Sequence, residues 1–78
     1  MSKIELTSLK PDETAVIAGI SAEAALQQRL LALGFRAGRQ IKMLRVAPLG
    51  GPVHVRVGTT EVMLRRRDAK SILLIKVQ

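Results

Sequence analysis

The chain has 78 residues, no cysteine, a single aromatic residue (Phe35) and a formal net charge of +7, from 13 Lys and Arg against 6 Asp and Glu. This length predicts one domain, spanning residues 1–78, whose single core only just outweighs the conformational entropy of the chain. The lack of cysteine excludes disulfides, thiolate metal sites and cysteine nucleophiles, and the near absence of aromatic side chains argues against the base-stacking platforms of RNA-recognition and single-strand-binding modules.

The first twenty residues predict a turn followed by a strand. In the lead-in segment 1–12, Leu6 and Leu9 are spaced for one short turn that covers an end of the core. The segment carries acidic residues and lacks the long apolar stretch of a signal peptide, and no apolar run approaches the ~20 residues that cross a bilayer. We therefore expect a cytoplasmic protein that does not insert into the membrane. Glu13–Ile20, which is rich in β-branched and small residues, predicts a strand buried on much of both faces.

The segment Ser21–Phe35 predicts an α-helix of about three turns. Ser21 is a suitable N-cap, and Gly34 suits the left-handed conformation just past the helix end. Phe35 would then fold back onto Leu30, the apolar contact that accompanies such a cap. One face of the helix carries a leucine stripe that we expect to be buried: Leu26, Leu30 and Leu33.

The rest of the chain alternates between short β patterns and turn residues. Four further strands are predicted: Arg39–Val46, Val53–Val57, Glu61–Arg65 and Ile72–Val77. In the first of these the alternation slips at Met43–Leu44, which is typical of a β-bulge. In the second, three valines point inward, while His54 and Arg56 point outward. Gly58–Thr60 predicts a hairpin connection, and residues 66–71 predict a single helical turn. The pattern therefore predicts a mainly β fold, a small, strongly bent antiparallel barrel of about five strands with one inserted α-helix.

The connection between Arg39–Val46 and Val53–Val57 places one apolar residue among turn formers. Leu49 is flanked by Pro48 and Gly50, and Pro52 follows closely. The prolines restrict this loop, so a leucine at its tip could enter a partner pocket at a small entropic cost. In the alternative interpretation, Leu49 folds back over an open end of the barrel as a plug, as loop leucines do in small domains.

Basic residues offer a second candidate partner-binding surface. Arg65, Arg66 and Arg67 are consecutive, so they cannot all share one face of a strand end. They could contact an acidic protein surface or nearby lipid headgroups, where each charge contributes about 1 kcal/mol. Arg36, beside the predicted helix end, has a simpler explanation in the helix dipole but belongs to the same candidate set. A solvated basic surface that only keeps the protein soluble is the alternative.

The sequence offers few groups for catalysis or metal binding. His54 is the single histidine, and only Glu61, across the predicted hairpin, could approach it. Sites for Fe(II) or Zn(II) gather several converging ligands, whereas the six acids here are scattered along the chain. No P-loop motif occurs, so the chain is not itself a GTPase. We expect no catalysis, no cofactor and no dedicated metal site, with His54 and Glu61 as the weak metal candidates.

Three phrases, in this order and spacing, resemble the FeoA family, the small accessory proteins of bacterial ferrous-iron uptake. They are "RLLALGFRAG" (Arg29–Gly38), "VAPLGGPVHVRV" (Val46–Val57) and "LRRRDAKSILL" (Leu64–Leu74). The resemblance implies an SH3-like barrel with an inserted helix, a fold that also forms the C-terminal domain of iron-dependent repressors. The chain lacks the Tyr and Trp with which SH3 domains grip proline-rich peptides, so that function is not expected. Two positions depart from the family pattern: Gly51 stands where an acid is common, and Ala37 where a proline is frequent.

The resemblance also implies a partner, the membrane transporter FeoB, whose soluble part includes a GTP-binding domain. The first hypothesis is therefore a non-enzymatic accessory that binds this domain through the Leu49 loop and the basic residues. The second is a transition-metal-linked regulatory module related to the repressor domains, which would need another chain to read DNA. We expect no nucleic-acid partner. An arginine finger supplied to the GTP site is disfavoured, because exposed arginines are too common a signal. Self-association and peripheral proximity to the membrane are left open.

Overall fold

All strands of the described chain join one antiparallel sheet. The computed structural model describes residues 3–76. The strands are β1 (Ile4–Glu5), β2 (Thr14–Ile20), β3 (Gln40–Val46), β4 (Val53–Val57), β5 (Thr60–Leu64) and β6 (Ile72–Lys76). The helical segments are a 3₁₀ turn (Leu6–Ser8), α1 (Ala24–Ala32) and α2 (Arg66–Ala69). The spatial order is β1-β6-β2-β3-β4-β5, so β1 and β5 are the edge strands of the six-stranded sheet.

Two shifts of register let the sheet curl. The pairing of β2 with β6 shifts between Ile17 and Gly19, and the pairing of β3 with β4 shifts between Met43 and Arg45. The second shift leaves Leu44 as the extra residue of β3, which confirms the predicted bulge. A bulge bends its strand and increases the local twist, so the sheet closes around its inner face.

The inner face of the curled sheet holds the core. Its fully buried large side chains come from every part of the chain: Phe35, Leu6, Ile17, Leu30, Ile41, Met43, Ile72, Leu74, Val53, Val55 and Val57. The three valines of β4 are all buried, as their alternation predicts. The predicted mainly β barrel with one inserted helix is confirmed, with six strands rather than about five. The additional strand, β1, pairs only two residues with β6, too few to leave a periodic pattern in the sequence.

The prediction that β2 is buried on much of both faces is confirmed in part. Ala15 and Ile17 are buried, whereas Thr14, Val16 and Ala18 between and beside them are only half-buried. One face of β2 therefore packs fully against the core, while its other face is only half-buried.

The predicted helix start is also wrong. Ser21 does not cap α1, because its N–H donates to the Ser71 carbonyl at 2.8 Å and extends the contact between β2 and β6. The N-cap is Glu23, whose carbonyl accepts the Gln27 N–H at 2.9 Å, and α1 has nine residues. Tertiary pairing at Ser21 therefore overrides its local capping preference.

The predicted helix end is confirmed. Gly34 has φ +104°, the Gly34 N–H donates to Leu31 at 3.0 Å, and the Phe35 N–H donates to Leu30 at 3.1 Å. These are the two hydrogen bonds of a Schellman motif, and they seat Phe35 against Leu30 in the core. Of the leucine stripe, Leu30 is buried and Leu26 is partly buried, but Leu33 is 41% exposed, so the prediction fails at that residue.

Among residues 3–76, no helix is both long and apolar enough to span a bilayer. Val77, the predicted end of the last strand, lies outside the described residues.

Candidate functional site

The loop between β3 and β4 is a six-residue connection, 47–52, that carries a tight turn at its tip. At its base, the Ala47 N–H donates to the Pro52 carbonyl at 3.0 Å, directly beyond the last strand pair. At the tip, the Gly51 N–H donates to the Pro48 carbonyl at 3.2 Å. Leu49 has φ +60° and Gly50 has φ +73°, and positive φ at both central positions is the pattern of a type I′ turn. We call residues Pro48–Pro52 the tip loop.

Leu49 is the outermost apolar side chain of the tip loop. Its relative exposure is 103%, so it touches none of the core, and the plug interpretation is wrong. A β-unbranched L-residue in the left-handed region costs about 1–2 kcal/mol relative to its right-handed conformation. Folding alone therefore gains nothing from a leucine here, either in conformation or in burial.

Arg66, the middle one of the three consecutive arginines, lies against the tip loop. A Cβ built on Gly50 would lie 4.0 Å from Arg66 Nε, so the Arg66 side chain passes directly beneath the turn. Arg66 Nε is buried and has no hydrogen-bond partner within the described residues. Arg65 is exposed at the start of α2, and Arg67 faces a groove toward Arg29 on α1. The three arginines do not lie on a strand end: Arg65 is the N-cap of α2, and Arg66 and Arg67 are its first two residues.

Arg36 is exposed in the turn between α1 and β3. It follows Phe35, whose buried side chain fixes the chain path, and its carbonyl accepts the Arg39 N–H at 3.2 Å. The structure thus brings together the tip loop and Arg66 from the predicted set, and it does not bring Arg36 to the loop.

A shallow groove beside the tip loop contains the residue that sequence reasoning missed, Met63. The groove has a volume of about 220 Å³ and is lined by Arg45, Ala47, Pro52, His54 and Met63. Met63 is 66% exposed on the edge strand β5. An outward-facing methionine within an alternating strand could have been flagged from the sequence, because outward positions of such strands are usually polar.

The histidine and its neighbouring acid form a surface ion network. The register of β4 and β5 pairs Arg56 with Glu61, and His54 lies one pair further along the outer face. The Arg56 guanidinium donates to Glu61 Oε2 at 3.0 Å, and His54 Nε2 lies 3.3 Å from Glu61 Oε1. The hydrogen bond from Arg56 is the main cause that lowers the pKa of Glu61, so this carboxylate is ionised and already engaged at neutral pH.

The His54–Glu61 pair gives a metal only two ligands. Over residues 3–76, no group of three or more His, Asp or Glu side chains is placed to hold a metal ion. The adjacent Arg56 also competes with any cation for Glu61. The geometry therefore brings the two weak metal candidates together without building a metal centre around them.

Comparisons with known proteins point to one family. Residues 4–76 match the family model of the FeoA domain. Over 69 residues the chain is 35% identical to a Fe(2+) transport protein A/Fe(2+) transporter FeoB fusion protein of Porphyromonas gingivalis, which covers 88% of this chain. The chain spans only 8% of the length of that fusion protein.

Solved structures show the same architecture. Stenotrophomonas maltophilia FeoA complexed with zinc, described as a prokaryotic SH3 domain protein, superimposes with a TM-score of 0.82 at 32% identity, covering 92% of this chain and 89% of its own. A manganese-dependent transcriptional repressor shares the fold alone, with a TM-score of 0.88 at 18% identity, covering 96% of this chain and 42% of its own. The SH3-like architecture expected from the sequence is confirmed.

Proposed function

The chain belongs to the FeoA family of ferrous-iron transport, and from that premise we propose that it is a non-enzymatic cytoplasmic accessory that binds the GTP-binding region of a FeoB-type transporter. The observation that carries this proposal is the fully exposed Leu49 at the tip of a restricted turn. The Porphyromonas gingivalis relative, in which transport protein A and FeoB form one fusion protein, supports an association between the two.

The conformation of the tip loop suits insertion into a partner. Two backbone hydrogen bonds hold the loop, at Ala47 and Gly51, and Pro48 and Pro52 restrict its dihedral angles. The loop therefore loses little conformational entropy when Leu49 becomes ordered in a partner pocket. A buried leucine side chain contributes about 1.5–3 kcal/mol from its transfer out of water.

The surroundings of Leu49 extend the contact. The groove at the base of the tip loop offers Met63, a flexible and polarisable side chain that adapts to a partner surface. Arg65 and Arg67 stand exposed on α2 near Arg66, which supports the turn from below. Apolar residues with Arg45 and Arg66 beside them fit a partner whose pocket is apolar and whose rim is acidic.

The absence of enzyme chemistry is part of the proposal. The single histidine contacts Glu61, but the groove beside it is lined by Arg45, Ala47, Pro52 and Met63, which offer no hydroxyl or thiol for it to activate. The action on the transporter would then be a shift in its nucleotide state or its assembly, caused by binding energy alone.

The alternative, a metal-linked regulatory module of the repressor type, has weaker support. The likeness to the manganese-dependent repressor concerns the fold only, since the two chains are 18% identical. A shared SH3-like fold does not carry a shared function.

Chemical-shift mapping of the full chain against the purified GTP-binding region of FeoB tests the proposal. We expect the largest amide shifts at Leu49, Gly50 and Met63, because these residues would leave water on binding. Gly58, at the opposite end of β4 from the tip loop, provides an internal control and should not shift. Shifts confined to α1, or no shifts at saturating partner concentration, would contradict this surface.

Charge reversal of the exposed arginines should slow the encounter without disrupting the fold. We expect Arg65→Glu with Arg67→Glu to reduce the association rate about tenfold at low ionic strength, since charges near an interface act mainly on the on-rate. Stopped-flow binding at two salt concentrations measures this effect. The pair Lys3→Glu with Lys10→Glu changes the net charge equally, and an equal slowing in that control would refute a local role for the arginines.

A further inference from the structure

A cationic depression lies on the outer face of the sheet, apart from the tip loop. It has a volume of about 250 Å³ and is lined by Thr14, Arg39, Gln40, Lys42, Arg56 and Gly58. Along β3 and β4 the core residues alternate with Gln40, Lys42 and Arg56, so these side chains point away from the core. The lining contains three positive charges and no negative charge.

The register of the sheet places two of these charges opposite each other. Lys42 on β3 pairs directly with Arg56 on β4. Like charges that face each other across an antiparallel pair destabilise the sheet. The nearest acids are engaged: Glu13 binds Lys76 at 2.9 Å, and Glu61 binds Arg56 at 3.0 Å.

Arg39 and Lys42 have no carboxylate within salt-bridge distance in the described part of the chain. Glu61 therefore offsets only part of the charge of the depression. The repulsion between Lys42 and Arg56 is thus only partly offset within the protein, and an anion in the depression would reduce it further.

The third charge, Arg39, packs against two turns, at Gly58 and at Gly34. A Cβ on Gly58 would collide with the Arg39 guanidinium, and a Cβ on Gly34 would lie 3.7 Å from Arg39 Nη1. The backbone at this point is anchored to β2, since the Ile17 N–H donates to the Arg39 carbonyl at 2.9 Å and the Gly38 N–H donates to the Ile17 carbonyl at 2.8 Å. A guanidinium packed against glycines loses less freedom when it binds a ligand.

We propose that the cationic depression binds the phosphate groups of a diphosphate or triphosphate anion. Guanidinium groups bind phosphate oxygens in a bidentate manner, and Arg39 and Arg56 supply two of them, with Lys42 as a point charge between. The Thr14 hydroxyl and the Gln40 amide can donate further hydrogen bonds. Because no aromatic side chain lines the depression, there is no platform for a base, and recognition is confined to the phosphates.

Titration of the full chain with inorganic pyrophosphate, followed by amide chemical shifts, tests this site. We expect saturable binding with a Kd below about 1 mM at physiological salt, and shifts centred on Thr14, Lys42 and Arg56. Binding of GDP with equal affinity would support recognition of the diphosphate itself. A tenfold preference for GDP would overturn phosphate-only recognition, and unsaturable weak shifts across the surface would overturn the site.

Matched variants separate the site from general attraction. Lys42→Gln and Arg39→Gln should each weaken pyrophosphate binding about tenfold or more, because each removes a charge-assisted contact. Arg65→Gln, which lowers the net charge equally at α2, should leave the Kd unchanged, and equal weakening there would overturn the proposal. Thermal unfolding adds a readout without ligand: Lys42→Gln should raise the midpoint by relieving the repulsion from Arg56, and a lower midpoint would contradict that repulsion.

Discussion

Replacing Leu49 with asparagine is expected to weaken binding to the GTP-binding region of FeoB about a hundredfold while raising the stability of the free protein. Truncating an apolar anchor at the centre of an interface typically costs 2 kcal/mol or more, and about 2.7 kcal/mol corresponds to a hundredfold change in Kd. Asparagine tolerates the left-handed conformation that leucine resists, so the φ of +60° becomes less strained. We expect the free energy of unfolding to rise by about 0.5–1 kcal/mol.

Titration calorimetry against the transporter domain, together with urea unfolding of the free chain, measures both effects. Leu33→Asn is the matched control, because Leu33 is a leucine with 41% exposure at the end of α1, far along the chain from the tip loop. The control should bind with the wild-type Kd. If Leu49→Asn binds as tightly as wild type, Leu49 is not the anchor, and if it destabilises the fold by several kcal/mol, Leu49 is a structural residue after all.

Leu49 is unusual because the features that favour its binding to a partner reduce the stability of the free protein. A strained backbone that also exposes an apolar side chain worsens two contributions to folding at once. Asp12 is the other described non-glycine residue with positive φ, but its polar side chain tolerates the conformation and suits solvent. The positive φ and the exposed apolar side chain at Leu49 are therefore best explained by a role in binding.

Local chemistry predicted those parts of the fold in which sequence neighbours settle the conformation. The glycine cap at Gly34, the bulge at Leu44 and the alternating valines of β4 were all predicted correctly, since each depends on a few adjacent residues. The start of α1 was not, because Ser71, in the turn just before β6, accepts a hydrogen bond from the Ser21 backbone. The two-residue strand β1 exists only through its pairing with β6.

In the candidate sites, too, features set by local sequence could be predicted, whereas features set by tertiary packing could not. The prolines and glycines of the tip loop predict that it is exposed. The sequence singles out Leu49, but it does not decide whether this side chain enters a partner pocket or folds back over the end of the barrel. The position of Arg66 beneath Gly50 depends on how α2 packs after β5, and no local pattern encodes that packing. The opposition of Lys42 and Arg56 depends on strand register, which the bulge at Leu44 helps to set. The cationic depression therefore could not be predicted from the sequence, because it depends on which residues the paired strands place side by side.

Among truncations to alanine within the described residues, replacing Phe35 is expected to produce the largest loss of stability. Phe35 is fully buried, is the largest buried side chain, and closes the core immediately after the helix cap. Truncation of a buried phenylalanine to alanine costs about 3–5 kcal/mol, from lost transfer energy and the cavity that remains. A domain of this size has a total stability of only about 4–12 kcal/mol, so the variant is left marginal or unfolded at 37 °C.

Urea unfolding followed by far-UV circular dichroism measures this loss, since the chain has no Trp or Tyr to report by fluorescence. The thermal midpoint should fall by about 12–40 °C, since each kcal/mol shifts it by about 4–8 °C. Phe35→Leu keeps most of the apolar volume and should lose about half as much or less. Leu33→Ala, on the exposed side of the same helix end, should lose less than about 1 kcal/mol. The two substitutions differ mainly in the amount of buried packing that they remove. A Phe35→Ala variant no less stable than Leu33→Ala would therefore mean that the core does not depend on the Phe35 ring.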